Sequence, residues 1–233
     1  MDNLLEKDIY FIMCNLGSII LQFKSFPLMP VLRMNATNDL DIRKALHRKL
    51  QKRYGQNHDK LIIDELALEH GKNRIDIAVF DKLIHGYEIK SSKDNLLRLE
   101  NQLAQYSRSL QKVTFVVAEN HLEEVLNRTP EWCGVTLVKK GPKGGIHFNS
   151  IRRAKVNPNV EFISLAHILW KSEAIDILSK CKELDKIYSY PRKVLYQHLS
   201  DSISIQQLAF EIKFKLKERG DWKVALPPLS YGG

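Results

Sequence analysis

Two short runs constrain this chain more than any other stretch, Arg74-Ile-Asp-Ile-Ala-Val-Phe80 and His85-Gly-Tyr-Glu-Ile-Lys90. Side chains of a strand alternate faces, so Ile75, Ile77 and Val79 share one face and Asp76 takes the other. The same rule puts Glu88 and Lys90 together, with Tyr87 and Ile89 opposite. Asp76 and Glu88 share a face when directly paired residue numbers add up to an even value, such as 76 with 88. That register needs a three- or five-residue connection around Asp81-Lys82-Leu83. Two neighbouring carboxylates repel unless a cation sits between them, and hard divalent ions take oxygen ligands. The pattern therefore predicts a Mg²⁺ or Mn²⁺ site in which Lys90 adds charge beside a phosphate and helps hold or deprotonate an attacking water. The plainer reading of the same residues is a half-exposed hairpin whose carboxylates pair with Arg74 or Lys90 across strands.

Ser91-Ser-Lys-Asp94 reads as a helix entry, and Leu96, Leu99, Leu103, Tyr106 and Leu110 as the buried stripe of the helix that follows. Gln102 and Tyr106, four apart, are neighbours on one edge. With these residues in place, Asp76 followed by Glu88-Ile89-Lys90 resembles the PD-(D/E)XK superfamily of restriction-endonuclease-like nucleases, with Ile75 where the name-giving proline would stand. Gln102-Leu-Ala-Gln-Tyr106 resembles the Gln-x-x-x-Tyr signature of its RecB and lambda-exonuclease branch, and the resemblance spans Ile42 to about Glu119. It implies an α/β fold with a restriction-endonuclease-like core (helix, three-stranded meander, helix, strand) and a C-terminal helical region. It further implies a metal-dependent nuclease that hydrolyses phosphodiester bonds of nucleic acid, DNA foremost, with a metal-activated water. Asp76 and Glu88 would be metal ligands, Lys90 would assist the water, and Gln102 and Tyr106 would position Lys90 or the strand. The second reading is a nucleic-acid-binding protein that keeps the fold without turnover.

Upstream, Asp39 or Asp41 caps a helix in which Ile42, Ala45, Leu46, Leu50 and Tyr54 recur at helical spacing and Gly55 is the stop. Its other face carries Arg43, Lys44, Arg48, Lys49, Lys52 and Arg53, which is either solvated or tracks phosphates. Leu61 to Glu69 reads as a strand that turns at Gly71-Lys-Asn73. Within it Asp64 and Glu65 interrupt an apolar run, which costs free energy unless the carboxylate has a partner or a metal. Glu65 is thus a candidate additional metal-site acid, and Asp64 points to the other face. Val113 to Glu119 reads as a strand, His121 to Arg128 as a short helix ended by Pro130, and Val135 to Val138 as another strand, an α/β layered order.

Residues 139–155 contain six basic residues and no acidic one. They read as a flexible basic loop that binds nucleic acid through Lys139, Lys140, Lys143, Arg152, Arg153 and Lys155. The loop lacks the Gly-Lys-Ser/Thr ending of a P-loop. Beyond it the pattern is helical: Leu165, Ile168, Leu169, Ile175 and Leu178, then Arg192 to Leu199 and Ile205 to Arg219. The last two are either a helix-turn-helix or part of a helical bundle.

Charge supports a polyanionic partner. Of the net +9, residues 139–233 hold 17 Lys/Arg against 9 Asp/Glu, whereas residues 1–138 hold 19 against 18. Cys14, Cys133 and Cys181 are odd in number, far apart and in no Cys-x-x-Cys spacing, which fits a reducing cytoplasm and suggests neither a disulfide framework nor a zinc site. The eight histidines show no helical metal-ligand pair. Ile9 to Leu32 is apolar but interrupted by Asn15, Gly17, Gln22, Pro27 and Pro30, a poor membrane span. The net-negative start before it is wrong for a secretory signal, so no membrane partner is expected. The division expected is an extension over 1–38, a core with its basic loop over 39–155, and a helical region over 156–233. The extension either packs on the core or, since the resemblance begins near Asp41, is translated sequence upstream of Met34.

Overall fold

The computed structural model describes residues 37–55, 59–183 and 185–220. The expectations for Ile9 to Leu32 and for the Trp222 to Gly233 tail lie outside the described residues. Among the described residues no helix is long and apolar enough to cross a membrane.

The described chain is α/β, with a six-stranded mixed sheet whose spatial order is the chain order. Helix α1 (Asp39–Tyr54) precedes strands β1 (Leu61–Leu68), β2 (Asn73–Phe80) and β3 (Ile84–Lys90), which form an antiparallel meander. Helix α2 (Leu99–Ser109) then crosses over to β4 (Lys112–Ala118), parallel to β3, and α3 (Leu122–Arg128) crosses over to β5 (Gly134–Lys140), parallel to β4. Strand β6 (Ile146–Arg152) returns antiparallel to β5 and ends the sheet. Helices α4 (Phe162–Ala166), α5 (Lys171–Cys181), α6 (Arg192–Ser202) and α7 (Ile205–Glu218) follow.

The β2–β3 register pairs Ile77 with Tyr87, the even sum that brings residues 76 and 88 opposite each other, and the connection is the three residues Asp81 to Leu83. Strand β3 reads as continuously buried because helices cover both faces of this sheet. On one face Ile42, Leu46 and Leu50 of α1 pack on Ile77, Val79, Tyr87, Ile89, Val116, Ala118 and Val138. On the other, Leu99 and Tyr106 of α2 join Phe80, Val113, Phe115 and Val117 and the apolar sides of α4 to α7 in one continuous core. The C-terminal helices therefore share the core of the sheet. Each of the fully buried aliphatic side chains in these clusters contributes about 1.5–3 kcal/mol relative to an exposed position.

Local chemistry explains where the elements start. Helix α1 is capped by Asn38, whose Oδ1 accepts from the Asp41 N–H at 2.8 Å; the sequence favoured Asp39 or Asp41 for that place. Ser91-Ser-Lys-Asp94 forms a turn before α2, with the Ser91 N–H donating to Asp94 Oδ2 at 2.6 Å. Residues 139–155, expected as a flexible loop, are mostly sheet: β5 runs to Lys140, Gly141 to Gly145 close a hairpin, and β6 runs back to Arg152. The basic composition concealed the strand. An edge strand with solvent on most of its side chains needs little apolar alternation, and in β6 only Ile146 and Phe148 supply it.

Close approach of β4, β5 and the segment after β6 requires Gly134: a Cβ there would lie 2.6 Å from Thr114 Oγ1 and 2.9 Å from the Ala154 backbone nitrogen. Gly134→Ala is expected to destabilise the fold by about 1–3 kcal/mol through overpacking. Urea denaturation checks this, and an unchanged midpoint would contradict it.

Candidate functional site

The charged residues singled out in the sequence come together where the β1–β2 ladder is distorted. Glu65 stands opposite Asp76 in a register whose neighbours pair Asp64 with Ile77 and Leu66 with Ile75, and its backbone is left-handed, φ 55°. Both strands exchange faces at this pair. Ile63 and Leu66 lie in the same core cluster although they differ in parity, and so do Ile75 and Ala78. Strict alternation, which put Ile75 with Ile77 and Val79, therefore fails at Asp76, as it does wherever a residue leaves the extended conformation. The left-handed conformation costs roughly 1–3 kcal/mol for a residue with a Cβ, and strain of this kind concentrates at sites of function.

Arg43 of α1 occupies the gap. Its Nη2 donates to Asp76 Oδ1 at 2.7 Å, its Nη1 lies 2.6 Å from Glu65 Oε1 and 3.0 Å from the Asp76 carbonyl oxygen, and its Nε reaches Asp39 Oδ2 at 3.2 Å. The other oxygen of Asp76 accepts from the Ile89 N–H at 2.6 Å. Glu88, almost fully buried, accepts at Oε1 from Lys90 Nζ at 2.9 Å and from Gln102 Nε2 at 2.7 Å, and its Oε2 lies 2.7 Å from the Tyr106 hydroxyl. Gln102 Oε1 accepts from Lys90 Nζ at 2.9 Å, closing a ring of three side chains, and the Tyr106 hydroxyl is also 2.9 Å from the Arg74 carbonyl oxygen. All six residues expected at the site, Glu65, Asp76, Glu88, Lys90, Gln102 and Tyr106, are thus adjacent to or part of one network. The residue the sequence reading missed is Arg43, placed there with the basic outer face of α1. It follows the buried Ile42 and lies four residues after Asp39, so its place at the edge of the apolar stripe was legible; its partners on other elements were not.

Burial first, and Glu88 second, push the Asp76 carboxyl up to about 7, against the pull of the Ile89 N–H and of Arg43. Burial works against the charge of Arg43 more than any other single influence, yet Asp76 and Asp39 together offset it and hold the guanidinium above its ordinary value. Burial, and then Glu88, raise the Tyr106 hydroxyl far above the usual range, so it remains a neutral donor.

This arrangement does not fit Mg²⁺ or Mn²⁺. Asp76 and Glu88 already direct both oxygens at protein donors, and Glu65 and Asp76 are paired with Arg43 and Glu88 with Lys90. Among the described residues no group of three or more His, Cys, Asp or Glu is disposed to hold a metal.

The residues expected to contact nucleic acid are distributed over the β5–β6 hairpin and the segment after it. Lys139 pairs with Glu119 at 2.8 Å and Lys140 with Asp41 at 3.4 Å. Arg152 turns inward, donating to the carbonyl oxygens of Cys133 at 2.8 Å and Thr129 at 3.2 Å, so it braces the hairpin. Lys143, Arg153 and Lys155 have no side-chain hydrogen bond or ion pair among the described residues.

Fold and site together define an α/β protein with an ion-paired polar cluster buried against a mixed sheet and a basic outer helix. Residues 33–221 match the family model described as bacteriophage P4 protein cII, and the chain belongs to that family. A curated relative, protein cII of Enterobacteria phage P4, is 31% identical over 141 residues, which is 60% of this chain and 52% of the relative. The chain therefore spans about half the length of the curated relative it matches. No solved structure matches it. The family membership overturns the resemblance to PD-(D/E)XK nucleases and with it the nuclease and hydrolase reading. The motif residues are present, but Arg43 and Lys90 supply the positive charge that the nuclease reading assigned to a metal.

Two outcomes follow from this geometry. Arg43→Met leaves Asp76 and Glu65 without their cation and is expected to cost roughly 3 kcal/mol at pH 7. Asp76→Asn in the same chain should recover part of that loss, and additive effects in a double-mutant cycle would show that the pair is not coupled. The pH dependence has a definite sign. Because the folded chain keeps a proton on Asp76 that the unfolded chain loses from about pH 4, this contribution to stability is fully present below about pH 4 and is lost as pH rises through about 7. Asp76→Asn should flatten the decline between pH 4 and 7 in denaturation curves, and a parallel pair of curves would contradict the assignment.

Proposed function

We propose that this chain binds nucleic acid, with DNA the expected partner, through a continuous basic face formed by α1 and the β5–β6 hairpin. The observation that carries the reading is the junction between them: Lys49 Nζ of α1 lies 5.0 Å from the ring centre of Phe148 on β6. On the same helix Lys44, Arg48 and Lys52 are exposed, are spaced by four, and have no carboxylate partner among the described residues. At 1.5 Å per residue they succeed one another every ~6 Å along the axis, a row of cations suited to a phosphate backbone. Lys143, exposed at the hairpin turn, adds a further cation without a carboxylate partner among the described residues. Charge of this kind gives affinity without sequence readout, so strong salt dependence is the expected signature.

The charged cluster supports this reading as a brace. Arg43 ties α1 to β1 and β2, and Glu88 with Lys90, Gln102 and Tyr106 ties β3 to α2, which fixes the helix that carries the basic row. The finer reading of the fold, a restriction-endonuclease-like core, is supported by the order helix, three-stranded meander, helix, parallel strand. A fold likeness carries neither activity nor membership with it. A cytoplasmic location is supported by the free thiols, Cys133 buried and Cys181 exposed.

The test is fluorescence anisotropy of labelled duplex DNA, single-stranded DNA and RNA across a salt series. Replacing Lys44, Arg48, Lys49 and Lys52 together by Gln should weaken binding and reduce the salt slope by roughly 3 units, at about 0.7–0.9 per lost phosphate contact. Unchanged affinity and slope would overturn the proposal.

A further inference from the structure

A second feature stands apart from the charged cluster. After β1 the chain turns at Glu69–Gly71, where Glu69 and His70, both bearing a Cβ, adopt left-handed backbone conformations with φ 46° and 58°. Two such residues in succession are strained. The Glu69 carboxylate is fixed to Arg108 at 2.6 Å, and the turn lays the His70 ring against that of His167, with centroids 4.2 Å apart. Tyr196 adjoins both rings. His167 Nδ1 is buried and has no hydrogen-bond partner among the described residues, an omission that costs stability.

Beside this pair lies a cavity of about 300 Å³ lined by His70, His167, Trp170, Arg192 and Arg219 over an apolar floor that includes Leu216. Its lining holds no carboxylate among the described residues. Arg219 is committed elsewhere: its Nε is 2.7 Å from Glu173, and its guanidinium stacks 4.1 Å over Trp170. Arg192, by contrast, is exposed and has no hydrogen bond or ion pair among the described residues. An anionic group suits Arg192 and the exposed His70 imidazole, because a guanidinium and an imidazole N–H both donate to phosphate oxygens. A planar group suits the aromatic and apolar remainder. The size is at the small end for ligand pockets, room for one nucleotide and not for a strand.

We propose that this cavity binds a mononucleotide, its phosphate held by Arg192 and by His70, whose ring packs on His167, and its base against Trp170 and the apolar floor. The site is separate from the basic face of α1 and does not rest on it. Burial lowers both imidazoles from their ordinary value, with His167 and Arg192 adding to the effect on His70, so each is neutral at pH 7 and offers one N–H and one acceptor.

Isothermal titration calorimetry of the full chain with the four common nucleoside 5′-monophosphates, with adenosine and with inorganic phosphate tests this. At least one monophosphate should bind, and adenosine and phosphate alone should each bind at least tenfold more weakly. Arg192→Gln should weaken monophosphate binding about tenfold or more with an unchanged melting temperature, since the side chain has no partner to lose. His70→Asn, which tolerates the left-handed backbone, should weaken binding without lowering the melting temperature. The α1 variant with four Gln replacements should bind the monophosphate as the wild type does. Absence of binding at millimolar ligand, equal binding of free phosphate, wild-type affinity in both cavity variants, or loss of binding in the α1 variant would each overturn the proposal.

Discussion

Arg43 leaves the basic side of α1 and sets its guanidinium between Asp76 and Glu65, and the geometry around it depends on that contact. Two carboxylates face each other across β1 and β2 at the point where the strands change faces. Without a cation between them, burial and mutual repulsion would expel one of them or keep both protonated. With Arg43 in place, Asp76 can give its second oxygen to the Ile89 N–H, which aligns β3 and thereby Glu88 and Lys90. The left-handed Glu65 is tolerated because the same guanidinium receives its carboxylate.

Glu88 repeats the solution in a drier setting. Its neighbours Lys90, Gln102 and Tyr106 satisfy every oxygen of a side chain that is almost fully buried, and three of these four polar residues, Glu88, Lys90 and Tyr106, are buried, where an unpaired polar group would be costly. The result is a connected polar network that joins α1, the meander and α2. This network resembles a catalytic constellation in residue type, and each of its carboxylates accepts from a protein donor.

The surfaces left over by this brace divide by chemistry. Along α1 the cations that do not reach the sheet remain exposed and face solvent as a row, continued by the hairpin of β5 and β6. Around the Glu69–Gly71 turn the exposed groups of the cavity include His70, Trp170 and the Arg192 guanidinium, which has no partner among the described residues, over an apolar floor. The first surface is extended and purely electrostatic; the second is small, concave and mixed.

Much of the architecture was legible in the sequence because its signals are local. The period of Ile42, Leu46 and Leu50 gave α1, the alternation of β3 and the three-residue connection gave the 76/88 register, and the spacing of Gln102 and Tyr106 placed both on the edge of α2 that meets Glu88. Three features were not legible. Arg43 read as one more exposed cation because a helix pattern says which face a side chain borders but not which charges another element brings to it. Strand β6 read as a loop because a half-exposed edge strand does not need the apolar alternation that marks a buried one. The third is the charge set against Asp76: sequence determines that carboxylates converge, whereas the side chain paired with them is decided by tertiary packing, since Arg43 lies 33 positions from Asp76 in the chain and in no local pattern with it.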